Sequence, residues 1–148
     1  MKNNIFVFAL FIFAFTLISC GGSTEKQSAN SENTEIAETA KVVVYYFHGK
    51  QRCKTCLAIQ KVVEETVAEN FAENTDVKFS ELDYSDKANE VITQNYEIAN
   101  SSLFVVAGES FTNLTEVAFA NALRNPDDLK GAIVTEVVKH LNKQYSLE

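Results

Sequence analysis

The pattern of hydrophobic and polar positions divides the chain into segments of different period. Residues 42 to 47, VVVYYF, form an unbroken β-branched and aromatic run, which is typical of a strand buried on both faces of a sheet. After Cys53 the apolar positions recur at spacings of three and four, which predicts an amphipathic helix with Cys53 at its start. The predicted buried face of this helix contains Cys56, Ile59, Val62, Val63, Thr66, Val67, Asn70 and Phe71.

Shorter segments follow at close spacing. Residues 77 to 83 have the composition of a second strand, and Ser85 is a suitable N-cap for a helix from about Asp86 to Tyr96. Residues 103 to 107, LFVVA, predict another buried strand.

The last part of the chain predicts a hairpin and a helix. Gly108 and Glu109 form the turn into a strand from about Ser110 towards Val117 or Phe119, although residues 116 to 123 fit a helix equally well. The sequence NPDD at 125 to 128 places a capping Asn, a proline and two acids at a helix start, and this helix is predicted to end near Asn142. The predicted element order is therefore β-α-β-α-β-β-α.

Composition and charge limit the classes of function. The 148 residues are 46% hydrophobic, enough for the core of one ordinary domain. There are 20 acidic and 13 basic residues, a net charge of −7, and no Lys/Arg cluster that could follow a phosphate backbone. Nucleic acid is therefore not expected as a partner.

The N-terminal segment predicts export. Residues 5 to 18 are almost entirely apolar behind Lys2, and this run is shorter than the roughly 20 residues of a membrane span, so it fits a signal peptide. Its end, Leu17-Ile18-Ser19-Cys20, resembles the lipobox of bacterial lipoproteins. That resemblance implies cleavage after Ser19 and a lipid on Cys20; the alternative is an ordinary signal peptide in which Cys20 is incidental.

These assignments give three regions: a signal peptide at 1–19, lipidated Cys20 with a Gly/Ser/Glu-rich flexible tether at 20–40, and a folded domain at 41–148. The expected location is the bacterial cell envelope, with the membrane contacted through the lipid. Gly21 after the lipidated cysteine favours the outer membrane, facing the periplasm, by resemblance to enterobacterial sorting.

The element order and the Cys-x-x-Cys motif at Cys53 and Cys56 resemble the thioredoxin-like superfamily over residues 41 to 143. The segment from Tyr45 to Cys56 also resembles a small group of bacterial thioredoxin-like proteins named as a nitrophenyl-compound nitroreductase subunit. The resemblance implies an α/β thioredoxin-like fold with a mixed four-stranded sheet flanked by helices. It also implies a protein thiol or disulfide partner, and no cofactor other than a redox-active Cys53–Cys56 disulfide.

The sequence departs from the thioredoxin pattern in two places. The proline before the third strand, cis in thioredoxins, is replaced by Ser101 or Ser102, for which a trans peptide bond is predicted. The buried acid below the resolving cysteine has no counterpart in the first strand, so Cys56 would need water or another base.

The position of the cysteines predicts their roles. A thiolate attacks a disulfide, and a helix N-terminus lowers the pKa of a thiol, so Cys53 is the expected nucleophile and Cys56 the resolving thiol. Arg52 and Lys54, with Lys50 nearby, are expected to favour the Cys53 thiolate by their charge. The candidate supporting residues of the site are His48, Arg52, Lys54, Thr55, Ser101 and Ser102.

Three other interpretations stay open. The pair could be a static disulfide or two unreactive thiols, or Cys53 and Cys56, with or without His48, could bind a soft metal or metalloid such as Cu(I). The chain could also be an interaction lipoprotein that retains the fold without catalysis. A four-ligand zinc site would need the distant His140, which is expected at the surface.

Overall fold

The computed structural model describes residues 40–147. The signal peptide, Cys20 and almost all of the predicted tether lie outside these residues, so those assignments stay predictions. The elements in chain order are β1 (Val42–His48), α1 (Lys54–Phe71), β2 (Val77–Asp83), a 3₁₀ turn (Lys87–Asn89), α2 (Glu90–Asn95), β3 (Ser102–Ala107), β4 (Ser110–Asn113), α3 (Thr115–Asn121) and α4 (Pro126–Tyr145).

The four strands form one mixed sheet in the order β2-β1-β3-β4. Strand β1 is parallel to β2 and antiparallel to β3, and β3 is antiparallel to β4. Because β1 has a partner on each side and helices or loops above and below, all but its last residue are buried. The predicted fold class, a thioredoxin-like α/β fold with a mixed four-stranded sheet flanked by helices, is confirmed.

Alternation along the strands separates two hydrophobic layers. In β1, Val42, Val44 and Tyr46 face the main core, which α1 and α4 cover. The intervening Val43, Tyr45 and Phe47 face a smaller core with Phe104 and Tyr96. Since His48 and, in β2, Glu81 continue the alternation, they lie on the α1 side at the carboxyl end of the parallel strands, where α1 begins.

The region after β3 differs from the predicted long strand. Strand β4 ends at Asn113 and α3 follows, so the helical alternative was the correct one for this segment. The side chain of Asn113 accepts from the Thr115 N–H, and Thr115 Oγ1 accepts from the Leu103 N–H. These polar contacts turn the chain out of the sheet, and Ala118 is then buried as a helix residue.

The helix after β2 also starts differently from the prediction. Asp86, not Ser85, caps the 3₁₀ turn by accepting from the Ala88 N–H. The Ser85 N–H and hydroxyl both donate to Asp83 Oδ1, which folds Ser85 back onto the strand end. The regular helix therefore begins only at Glu90.

Three details of the long helices also correct the predictions. Asn70 is exposed, although the other predicted core positions of α1 are buried. Asn125 makes no side-chain cap to α4; its backbone carbonyl accepts from Asp128 instead. Helix α4 continues three residues past Asn142 to Tyr145, whose hydroxyl donates to Asp76 at 2.7 Å and secures the last turn.

His140, expected at the surface, is 6% exposed because it lies on the inner side of α4 against β4. Residues 40–147 contain no helix long and apolar enough to cross a membrane.

Candidate active site

The cysteine pair lies where β1 leads into α1. Cys53 is the N-cap of α1, with extended backbone angles and an exposed side chain, whereas Cys56 is 7% exposed in the first turn. Both are free thiols, and their sulfur atoms are 2.8 Å apart. A three-residue separation on a helix brings the two sulfurs to one side, so the motif presents one accessible and one protected thiol.

The start of the helix stabilises a thiolate at Cys53. The pKa of the Cys53 thiol is lowered first by the hydrogen bond with the Cys56 side chain, then by the Cys56 N–H, which donates to Cys53 Sγ at 3.2 Å. The Thr55 N–H adds to this lowering. These N–H groups have no intrahelical acceptor at a helix N-terminus, so they are free to bind the sulfur.

Among the flanking cations, Arg52 is directed to a different group. Its guanidinium donates to Glu81 Oε1 and to Gln60 Oε1, each at 2.6 Å, and lies over the Tyr46 ring. Hydrogen bonds, rather than the expected charge of Arg52, therefore lower the Cys53 pKa. Lys54, the first residue of α1, is exposed, and Thr55 is half-buried.

Tyr46 lies below Cys56. Its side chain is fully buried, and its hydroxyl donates to the Cys56 carbonyl oxygen at 3.0 Å. Burial, and then proximity to the Cys56 side chain, raise the pKa of Tyr46 above its ordinary value. The phenol is consequently a neutral hydrogen-bond donor at any pH near neutral.

His48 belongs to a polar cluster around Glu81. His48 Nε2 lies 2.8 Å from Glu81 Oε1, and Gln60 Nε2 donates to Glu81 Oε2. We call His48, Arg52, Gln60 and Glu81 the Glu81 cluster. In residues 40–147 no group of three or more His, Cys, Asp and Glu side chains is arranged to hold a metal ion. The binding of a soft metal by Cys53 and Cys56, with or without His48, stays a prediction.

A groove opens beside Cys56. Its volume is about 450 Å³, and its lining residues are Cys56, Tyr84, Asn100, Ser101, Thr115, Glu116 and Phe119. Ser101 forms part of the wall, whereas Ser102 is buried at the start of β3 and donates to the Asn100 carbonyl. In the described residues no peptide bond is cis, which confirms the prediction of trans bonds at these serines.

Tyr84 fixes one wall of this groove. The Tyr84 N–H donates to the His48 carbonyl at 2.8 Å, and its hydroxyl lies 2.7 Å from where a Cβ on Gly49 would be. Gly49 therefore permits the close approach of the ring, and any side chain there would displace it.

The sequence-based prediction missed Tyr46, Gln60, Glu81, Tyr84 and Phe119. The sequence predicts Tyr46 only as a buried strand residue, because nothing local marks a role for its hydroxyl. Glu81 carried a detectable signal, since an acid on the inner face of a predicted strand must find a partner. The other three reach the site only through tertiary packing.

The comparisons with known proteins find only weak similarity, and only to solved structures. No family model matches the chain, and no curated protein matches it. Among solved structures, thioredoxin from Fasciola hepatica is 18% identical, with 76% of this chain and 93% of that chain covered and a TM-score of 0.46. Thioredoxin from Wuchereria bancrofti is 16% identical over 70% of this chain and 87% of that chain, with a TM-score of 0.43.

A structure described as a malarial protein is 12% identical, covers 54% of this chain and 93% of that chain, and has a TM-score of 0.38. At these values the function must be argued from the site of this chain. The sheet order and the cysteine geometry described above carry that argument.

Proposed function

We propose that this protein is a thiol–disulfide oxidoreductase, or the redox partner of one, that exchanges disulfides with a protein through Cys53 and Cys56. The single observation that carries the proposal is the asymmetry of the pair: an exposed Cys53 with a lowered pKa lies 2.8 Å from a buried Cys56. A static pair would not need one sulfur activated and accessible and the other protected.

The geometry supports a two-step exchange. The Cys53 thiolate attacks a sulfur of the partner's disulfide, and one partner thiolate leaves. Cys56, already in contact with Cys53 Sγ, then attacks that sulfur and releases the second partner thiolate. The same steps run in reverse when the oxidised pair accepts electrons, and the reduction potential decides the direction.

The groove beside Cys56 supports a protein or peptide as the partner. Apolar Phe119, 40% exposed, and the backbone around Ser101 could contact an extended segment that carries the reacting cysteine.

We also propose that the protein is exported, lipidated at Cys20 and held at the outer membrane facing the periplasm, because Gly21 follows the lipidated cysteine. The support is the lipobox-like end of the signal peptide alone. Labelled fatty acid should be incorporated into the native chain and not into a Cys20→Ser variant. Equal labelling of the two chains would contradict the lipid anchor.

The redox proposal is tested by equilibrating the protein with glutathione buffers and following Cys53 alkylation against pH. A reversible pair is expected, with Cys53 titrating below an ordinary thiol. Cys53→Ser should abolish exchange, whereas Cys56→Ser should retain attack and accumulate mixed disulfides. A pair that never reduces, or a Cys53 with an ordinary titration, would contradict the proposal.

A further inference from the structure

The loop between β1 and α1, residues 49–52, has few contacts of its own. Within residues 40–147, Lys50 and Gln51 are exposed and form no hydrogen bond. Arg52, the last residue of the loop, differs from them because its side chain is only 18% exposed. A loop with so few contacts is ordered by the residues that do bond. The position of Cys53 therefore depends on what holds Arg52, the residue before it.

Arg52 is bound to two different elements. Its Nη1 donates to Glu81 Oε1 on β2, and its Nη2 donates to Gln60 Oε1 on α1, each at 2.6 Å. Gln60 also donates to the second oxygen of Glu81. Because the guanidinium is a planar, rigid fork, these bonds fix the end of the loop relative to both the sheet and the helix that Cys53 caps.

The geometry of Cys53 depends on the backbone at this point. Cys53 has the extended angles of an N-cap, φ −80° and ψ 167°, and these angles place its sulfur over the first turn of α1. There the Cys56 side chain, and then the Cys56 N–H at 3.2 Å, lower the pKa of the Cys53 thiol. A displaced loop would move the sulfur away from these groups.

We propose that Arg52 is a positioning residue, which binds Glu81 and Gln60 and thereby holds Cys53 Sγ over the first turn of α1. The inference rests on the proposed function. Arg52 acts through the geometry of its hydrogen bonds and not through its charge, because the guanidinium is paired with Glu81 and lies over the Tyr46 ring.

The test follows the alkylation of Cys53 against pH. The reduced full chain is treated briefly with iodoacetamide, and mass spectrometry of the peptide that contains Cys53 measures this cysteine alone. The decisive variant is Arg52→Lys, which keeps the charge but loses the fork. The midpoint of Cys53 alkylation should rise by about one unit, so the rate below the midpoint should fall about tenfold. The limiting rate at high pH should not fall, since the thiol is then fully ionised.

Lys130→Gln is the matched control. Lys130 on α4 forms an ion pair of 3.1 Å with Glu69 near the other end of α1, so its loss also removes a contact of the helix but should leave the Cys53 midpoint unchanged. If Arg52→Lys fails to fold, Gln60→Ala carries the test, because it removes one of the two acceptors of the fork and should give a smaller rise. Every variant retains the ionisable groups around Arg52 and the cysteine pair: His48, Lys54, Cys56, Glu81, Tyr84 and Glu116.

The outcomes separate this inference from the proposed function. An ordinary Cys53 titration in the native chain contradicts the proposed function itself. A low native midpoint that does not move in Arg52→Lys contradicts the role of Arg52 alone. A midpoint that rises in Arg52→Gln but not in Arg52→Lys would assign the effect to charge, and an equal rise in Lys130→Gln would assign it to any loosening of α1. Either of these two results would also overturn the inference.

Discussion

Two polar clusters lie at opposite edges of the sheet and use similar residues in different ways. The Glu81 cluster joins one carboxylate on β2 to His48 at the end of β1, to Arg52 in the following loop and to Gln60 on α1. At the other edge, on β4 and α4, Thr112 donates to Glu136 Oε2 at 2.9 Å and contacts His140 Nε2 at 3.0 Å. We call Thr112, Glu136, Lys139 and His140 the Glu136 cluster.

Each cluster leaves one buried nitrogen without a hydrogen-bond partner, Arg52 Nε in the Glu81 cluster and His140 Nδ1 in the Glu136 cluster. The difference lies in the group that carries this nitrogen. The Arg52 guanidinium stays charged, is held by Glu81 and lies against Tyr46 below the cysteine pair. The His140 imidazole can gain or lose a proton near neutral pH. The Glu81 cluster therefore orders groups next to the thiols. The Glu136 cluster joins α4 to the edge strand β4 and makes the stability of the protein depend on pH.

The largest expected effect is that of Glu81→Gln. The change leaves the partly buried Arg52 guanidinium without its carboxylate partner, so the free energy of unfolding should fall by about 2 kcal/mol. This value includes a reduction for solvent screening, because the Glu81 side chain is 28% exposed. The release of mixed disulfides should also slow. The measurements are urea unfolding and single-turnover disulfide exchange.

Glu136→Gln is the matched change in the other cluster, and it should cost less than about 1 kcal/mol because its cationic partner Lys139 is 67% exposed. Its disulfide exchange should match that of the native chain. Equal losses of stability and of exchange rate in both variants would remove the distinction between the clusters.

A smaller effect is expected from Thr112→Val. The change keeps the shape of the side chain but leaves Glu136 Oε2 and His140 Nε2 without the hydroxyl, which should cost about 1 kcal/mol. Thr135→Val is the control, because Thr135 is exposed and bonds only within α4. Thermal unfolding of both variants measures the difference, and indistinguishable melting temperatures would contradict the role of the Thr112 bridge.

The smallest effect concerns pH. Burial lowers the pKa of His140, with Lys139 and Lys143 acting in the same direction and Glu136 opposing them. The unfolded chain therefore binds this proton more readily than the folded protein. Stability is fully present above about pH 6.5, the ordinary His value, and falls as the pH drops towards the lower folded-state pKa.

His140→Gln should flatten this part of the pH dependence. The hydrogen bond from Lys139 is the main cause that lowers the pKa of Glu136. The contribution of Glu136 to stability is therefore lost at a more acidic pH than that of His140, so the two pH ranges are separate. Urea unfolding between about pH 5 and 7.5, a range that spans the ordinary His pKa of about 6.5, measures how the free energy of unfolding changes with pH. An unchanged slope in His140→Gln would assign it to other groups.

Local patterns predicted most of the fold correctly. The strand β2 was predicted with its observed bounds, and the period of α1 identified its buried face with Asn70 as the exception. These predictions succeeded because burial imposes a period on consecutive residues. The segment after Ser110 was ambiguous, since the contact that ends β4, between Thr115 and Leu103, joins residues twelve positions apart.

The sequence alone determined the position of the cysteine pair, because a buried strand followed by a helical period leaves Cys53 at the helix start whatever the rest of the chain does. Only the tertiary structure decided the surroundings of that pair. The register of β1 and β2 pairs Tyr46 with Glu81, which is 35 residues later in the sequence. Because Glu81 binds the Arg52 guanidinium, that group lies over the Tyr46 ring and not at Cys53. Contacts between strands depend on register and side-chain direction, which no local period encodes.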